Sequence, residues 1–135
     1  MTTEQLKKTN WLNRAFHAEK AAKAWLAKLE RDRSDAERIK QNFSQDAVKD
    51  VLDRLSITEQ RTLDRISELT QILDEVTVAI VAVDDLDMQS ILVRHYLVYE
   101  SWEQVAEEMH YDLRTVQRKH KQALDRVANI SPLRR

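Results

Sequence analysis

The chain has 135 residues, 33% of them charged, with one proline, no glycine, no cysteine and a formal net charge of −1. Without glycine, tight hairpin turns and phosphate-binding glycine loops are excluded, and without cysteine so are disulfides, thiolate nucleophiles and cysteine-based zinc sites. With so many charged residues and no glycine, we expect an all-α protein, and the lack of cysteine leads us to expect the reducing cytoplasm as its location. No apolar run approaches the length that crosses a bilayer, so no membrane partner is expected.

The first predicted element is a long amphipathic helix from about Thr3 to Arg33, in which apolar residues recur at helical spacing. Trp11 and Trp25 lie on this pattern and are interpreted as core or partner-helix anchors. A serine followed three residues later by glutamate, the spacing of a capping box, occurs at Ser34 and Ser56. We therefore predict new helix starts at both serines and a broken helix in this part of the chain.

A heptad pattern follows, in which apolar residues alternate steps of three and four. Its members are Ile66, Leu69, Leu73, Val76, Ile80 and Val83. Such a seam favours a homo-oligomer, with a dimer as the expected state, but an intramolecular antiparallel hairpin with the first helix would produce the same pattern. Residues 1–85 are accordingly predicted to form a long N-terminal helical arm, amphipathic or coiled-coil in character, that serves oligomerisation.

Residues 86–130 are predicted to form a helix-turn-helix DNA-binding domain. A bracing helix with an apolar face (Met88, Ile91, Leu92, Tyr96, Leu97) leads into two short helices. Ser101 and Gln104 have capping-box spacing at the start of the first, and Asp112 can cap the second. His110 stands between them, where such motifs commonly place a glycine with positive φ.

The last helix carries a cationic and amide-bearing face opposite its apolar stripe. Arginine and lysine neutralise phosphates or bind guanine, and glutamine can donate and accept at adenine. The candidate DNA-contacting residues are Arg114, Thr115, Gln117, Arg118, Lys121 and Gln122. From Asp112 onward the sequence has seven cationic residues, including Arg134 and Arg135, and two aspartates. The net charge of this segment is +5, which leaves a net charge of −6 for the rest of the chain. Positive charge is therefore concentrated at one end, as in proteins that present that end to nucleic acid.

Three short patterns lie in successive predicted helices. Arg94–His95–Tyr96 stands near the end of the bracing helix, Trp102 with Val105–Ala106 in the next helix, and His120 with Ala123–Leu124 in the later part of the last one. With them, the stretch from Ile91 to Val127 resembles the fourth region of bacterial sigma factors. It is more similar still to phage late-gene transcriptional regulators of Gram-positive bacteria, of the RinA and ArpU type. The resemblance implies a sequence-specific regulator that binds double-stranded DNA as an oligomer, activates phage or prophage late genes and has RNA polymerase as a further partner.

Two other functions are compatible with the same pattern. A phage terminase small subunit also joins a helix-turn-helix to an oligomerising helical region, and a helical adaptor would bind another protein with the basic helix incidental. Catalysis, a metal and a cofactor are not predicted, because the four histidines lack helical ligand spacing and no Ser–His–acid group stands out. His95 and His120 are interpreted as packed, hydrogen-bonded core residues.

Overall fold

The computed structural model describes residues 1–128, which are largely helical and contain no β-strand, so the all-α prediction is confirmed. The helices are α1 (Thr3–Leu12), α2 (Arg14–Asn42), α3 (Gln45–Val81), α4 (Leu86–Leu92), α5 (Trp102–Met109) and α6 (Leu113–Arg126), and a π-helical turn spans Val93–Leu97. Across the described chain, none of the helices has the length and apolar character needed to span a bilayer. Arg134, Arg135 and the end of the predicted DNA-binding domain lie outside the described residues.

The middle of the chain is more continuous than predicted. Ser34 lies inside α2 and Ser56 inside α3, so both predicted helix starts are wrong. Neither helix contains a glycine or proline, and an established helix gains one hydrogen bond for each residue it adds, so it grows through a potential cap. The chain turns instead at Phe43 and Ser44, where the Ser44 hydroxyl accepts a hydrogen bond from the Ala47 N–H at 3.4 Å.

The chain divides into two compact units. The hairpin unit is Ala18–Gln71, and the terminal unit combines Met1–His17 with the chain from Ile72 onward. The predicted division between residues 85 and 86 therefore falls inside the terminal unit. The long first helix is also interrupted, because Asn13 separates α1 from α2; asparagine is a weak helix former whose amide competes for backbone hydrogen bonds.

The core of the terminal unit joins residues from both ends of the sequence. Its buried members are Leu12, Ala15, Val76, Ile80, Val83, Met88, Leu92, Tyr96, Ala123, Leu124 and Val127. Trp11 packs against this core, as interpreted from the sequence. The Arg14 guanidinium binds the Glu75 carboxylate at 3.1 Å, which ties the start of α2 to the last part of α3. The C-terminal half of the heptad seam is thus covered within a single chain, which matches the intramolecular alternative at these positions.

In the hairpin unit, the two residues Phe43 and Ser44 connect α2 to α3, a length typical of antiparallel neighbouring helices. An ion pair between Arg33 Nε and Glu59 Oε1, at 2.9 Å, links the two helices. The buried residues of the unit are Ala18, Ala22, Leu29, Val48, Thr62 and Leu69. Several large apolar side chains are exposed instead, namely Trp25, Leu26, Phe43, Ile57 and Leu63. The hairpin unit therefore leaves much of its apolar surface uncovered.

Candidate nucleic-acid interface

The first helix of the interface, α5, begins as the sequence predicts. The Gln104 N–H donates to the Ser101 hydroxyl at 3.2 Å, and the Ser101 N–H donates to the Gln104 side-chain carbonyl at 2.8 Å. Both otherwise unpaired amides of a capping box are therefore satisfied. Val105 and Ala106 are buried on the opposite side and pack with Ile91 and Val116. Val105 and Ala106 therefore form the packing face of α5.

The turn between α5 and α6 uses a left-handed residue without a glycine. His110 has φ 60° and ψ 39°, and the next amide, that of Tyr111, donates to the Ala106 carbonyl at 3.0 Å. This pattern closes the end of α5 and redirects the chain. Asp112 then starts α6, because its carboxylate accepts a hydrogen bond from the Thr115 N–H at 2.7 Å. The turn therefore has the geometry that the sequence predicts for it.

Thr115 is used mainly to start the helix. Its side chain and its backbone N–H both donate hydrogen bonds to the Asp112 carboxylate. The side-chain bond is the largest cause of the lowered pKa of that carboxyl, followed by the backbone bond and by the positive charges of Arg114 and Arg118. Thr115 is also half-buried. Among the six candidate contact residues, it is the one whose side chain is engaged within the protein.

The other five candidates lie exposed on α6: Arg114, Gln117, Arg118, Lys121 and Gln122. Within residues 1–128, none of these five side chains forms a hydrogen bond or an ion pair. At about 100° per residue, Arg114, Arg118 and Lys121 share one face of the helix, with the two glutamines at its flanks. The arrangement presents three cations and two amides to a ligand outside the protein.

Two further cations of α6 form ion pairs with carboxylates in the first turn of α4 and in the segment just before it. Lys119 Nζ lies 3.2 Å from Asp87 Oδ2, and Arg126 Nη1 lies 3.3 Å from Asp84 Oδ1. The Tyr111 hydroxyl also donates to Asp87, at 2.6 Å, and this hydrogen bond is the main cause of the lowered pKa of that carboxyl. These contacts hold the turn between α5 and α6, and the side of α6 that carries Lys119 and Arg126, against α4 and the segment before it.

Negative charge surrounds the cationic face and limits its extent. On α5, Glu103, Glu107 and Glu108 are exposed, and on α6 the exposed Asp125 follows one turn after Lys121. Phosphates are therefore attracted to the face of α6 that begins at Arg114 and repelled from the outer surface of α5.

A cluster of aromatic and imidazole rings packs against the buried side of α6. The Tyr96 hydroxyl and His120 Nε2 are 2.7 Å apart in a buried hydrogen bond. Trp102 stacks on His95 at 3.7 Å between ring centroids and approaches His120 at 4.3 Å. His95 Nδ1 also bonds the Glu100 carbonyl at 2.8 Å. The interpretation of both histidines as packed, hydrogen-bonded residues is confirmed, and Trp102 packs inside the unit.

Burial in this cluster changes the protonation equilibria of its members. Burial, together with the charges of nearby His95 and Lys121, lowers the pKa of His120 to about 4. Burial also lowers the pKa of His95, although the bond to the Glu100 carbonyl opposes that change. For Tyr96 the same cause raises the pKa to about 12. The cluster is therefore neutral at pH 7.

Helix α1 contacts the C-terminal part of α6, which sequence reasoning missed. The Gln5 side-chain amide donates to the Lys121 carbonyl at 3.2 Å and to Asp125 Oδ1 at 3.0 Å. The Lys8 ammonium donates to the carbonyls of Leu124 and Val127 at 3.0 and 2.8 Å, where helix carbonyls lack partners. Partners 116 residues apart leave no periodicity in the sequence that could reveal them.

The chemistry available at this surface is noncovalent recognition of an anionic, hydrogen-bonding ligand. Residues 1–128 hold no group of three or more His, Cys, Asp or Glu side chains placed to bind a metal ion. In comparisons with known proteins, no family model, no curated protein and no solved structure matches the chain.

Proposed function

We propose that the protein is a sequence-specific regulator of transcription that binds double-stranded DNA through α6, in the manner of a phage or prophage late-gene activator. The observation that carries the proposal is the set of five exposed side chains on α6 that form no hydrogen bond or ion pair within residues 1–128. Three are cations suited to phosphates or guanine, and two are amides suited to adenine. The late-gene role and RNA polymerase as a further partner rest on the sequence resemblance.

The contacts of α1 favour one orientation on a duplex. Because Gln5 and Lys8 bind the last turns of α6, the N-terminal turns are the part that these two residues leave uncontacted. Helix-turn-helix proteins place that end of the recognition helix against base edges in the major groove. Gln117 and Arg118 are therefore proposed as base readers and Lys121, one turn later, as a phosphate contact.

Replacing Arg118 and Lys121 separately by alanine tests these roles. Arg118→Ala is expected to cost about 1–3 kcal/mol on the operator, with much less effect on random duplex, because it removes a contact to a base edge. Lys121→Ala is expected to weaken all duplexes alike and to reduce the slope of log affinity against log salt by about one unit, because it removes a phosphate contact. Both are measured by fluorescence anisotropy across a salt series, on DNA selected from a genomic library and on random duplex.

The matched control is Arg126→Ala, which removes another cation of α6. Unlike Arg118 and Lys121, Arg126 forms an ion pair within the protein, with Asp84. Its affinity for selected DNA is expected to stay close to that of the unsubstituted protein. If neither Arg118→Ala nor Lys121→Ala changes binding to any duplex while both variants remain folded, DNA reading by α6 is refuted, and the helical adaptor becomes the better explanation.

We propose that copies of the protein associate through the hairpin unit, with a dimer as the expected state. Phe43 is 63% exposed and, with Val48 and Leu52, lines a groove of about 540 Å³ near the turn of the hairpin. Ala18–Gln71 contains eleven cationic and eleven anionic residues. Two copies of such a surface meet without net repulsion, and a two-fold interface can pair opposite charges.

Phe43→Glu tests this association. The side chain is exposed in the single chain, so the helix content should be unchanged while the mass measured by light scattering falls toward the monomer, because a buried carboxylate without a partner destabilises an interface. The control is Val78→Glu, which alters a residue of the terminal unit with a similar exposure of 69%. If the Phe43→Glu protein has the same mass as the Val78→Glu protein, the hairpin surface is ruled out as the site of association. A ring-sized oligomer of the unsubstituted protein would favour the terminase alternative.

A further inference from the structure

Asp125 is an anion within the proposed DNA-binding face. It is exposed and follows Lys121 by one helical turn, and at about 100° per residue it lies on the same face as Arg114 and Arg118. A carboxylate free to turn toward a duplex would repel phosphates and oppose the three cations beside it. Its orientation therefore affects how well this face binds DNA.

The side chain that holds Asp125 is Gln5 of α1, which is only 7% exposed. Its amide nitrogen donates to Asp125 Oδ1 at 3.0 Å and to the Lys121 carbonyl at 3.2 Å. Its carbonyl oxygen accepts a hydrogen bond from the Thr2 N–H at 2.9 Å, in the capping box that begins α1. Contacts at both ends fix the amide, so it binds the carboxylate from a rigid position.

We infer that Gln5 is a positioning residue for the DNA-binding face, holding the Asp125 carboxylate against α1 and away from the duplex. The inference rests on the proposed function of α6. It explains why a glutamine at this position suits both contacts: its carbonyl caps α1 while its N–H groups bind a carboxylate and a carbonyl. A glutamate would keep the cap but would replace the donors with a second negative charge next to Asp125.

The test is a reciprocal exchange of donor and acceptor. Gln5→Glu is expected to weaken binding to the selected duplex about tenfold at low salt, because two adjacent carboxylates repel each other and one turns toward the DNA. Asp125→Asn alone should bind at least as tightly as the unsubstituted protein. The double variant Gln5→Glu, Asp125→Asn should recover affinity to within about twofold, because the new asparagine can donate to the new glutamate.

The salt dependence separates positioning from a general loss of stability. The deficit of Gln5→Glu should shrink as salt is raised, since screening weakens repulsion between charges, whereas damage to packing would persist. Thermal unfolding of each variant is measured alongside binding. If Gln5→Glu does not fold, Gln5→Met removes the donor without adding charge, and about a threefold loss that Asp125→Asn restores is expected.

Two failures are distinguishable. If the unsubstituted protein binds duplex DNA but Gln5→Glu and Gln5→Met bind equally well, or if Asp125→Asn does not restore them, the positioning role is refuted and the proposed function stands. If the unsubstituted protein binds no duplex at any salt concentration, the proposed function itself is refuted and the positioning role with it.

Discussion

Replacing Trp102 by alanine is expected to lower the free energy of unfolding by about 3–5 kcal/mol. The indole ring stacks on His95 and contacts His120, and it packs against the small core formed by Ile91, Val105, Ala106 and Val116. Alanine would leave a cavity among these groups and remove the support behind α6. Urea denaturation followed by circular dichroism measures the loss.

Trp102→Phe is the control, because it keeps an aromatic ring at the site and should lose a smaller part of the stability. DNA binding is then compared at a temperature where both variants are folded. A Trp102→Ala protein with unchanged stability and no affinity for DNA would show that the ring acts on a base and not in the core.

Acidification is expected to destabilise the protein by about 3 kcal/mol between pH 6.5 and pH 4 through His120 alone. The pKa of His120 is lowered to about 4 in the folded protein by burial and by the charges of His95 and Lys121, while the unfolded chain has the ordinary value near 6.5. The unfolded state therefore binds the proton first. The stabilisation is fully present above pH 6.5 and is lost as the pH falls through the folded value.

Unfolding free energy is measured by urea titration at half-unit steps over this range. His120→Gln, which cannot gain the proton, should show a shallower dependence on pH by up to one proton, or about 1.4 kcal/mol per pH unit. His17→Gln removes an exposed imidazole and serves as the control. Equal slopes for the unsubstituted and His120→Gln proteins would mean that His120 does not govern the acid response.

Local signals in the sequence predicted the local geometry of the interface. Ser101 with Gln104 and Asp112 with Thr115 form the expected caps, and His110 adopts the left-handed conformation expected at its position. Each of these features depends on residues within four positions of one another, so the sequence order itself brings the groups together. The exposed face of α6 follows for the same reason, since helical periodicity alone assigns Arg118 to it.

The same local rules failed where the surroundings decided the outcome. Ser34 has the capping spacing of Ser101, yet α2 continues through it. The difference is that the stretch before Ser101 has already left the regular helix, with Tyr99 at φ 69°, so a new helix must start there. The heptad seam likewise predicted a buried apolar stripe, but the pattern could not show which surface covers that stripe. For Ile80 the covering residues belong to the same chain.

The contacts of α1 with α6 also determine when the terminal unit can be completed. Gln5 and Lys8 each bind a residue 116 positions later in the chain, and a ribosome releases the N-terminal end first. The hairpin unit, built from neighbouring segments, can form while synthesis continues, and its formation shortens the loop that must close between α1 and α6. Until α6 emerges, Lys8 has no carbonyls to cap, so the surface proposed to read DNA cannot assemble before α6 has been synthesised.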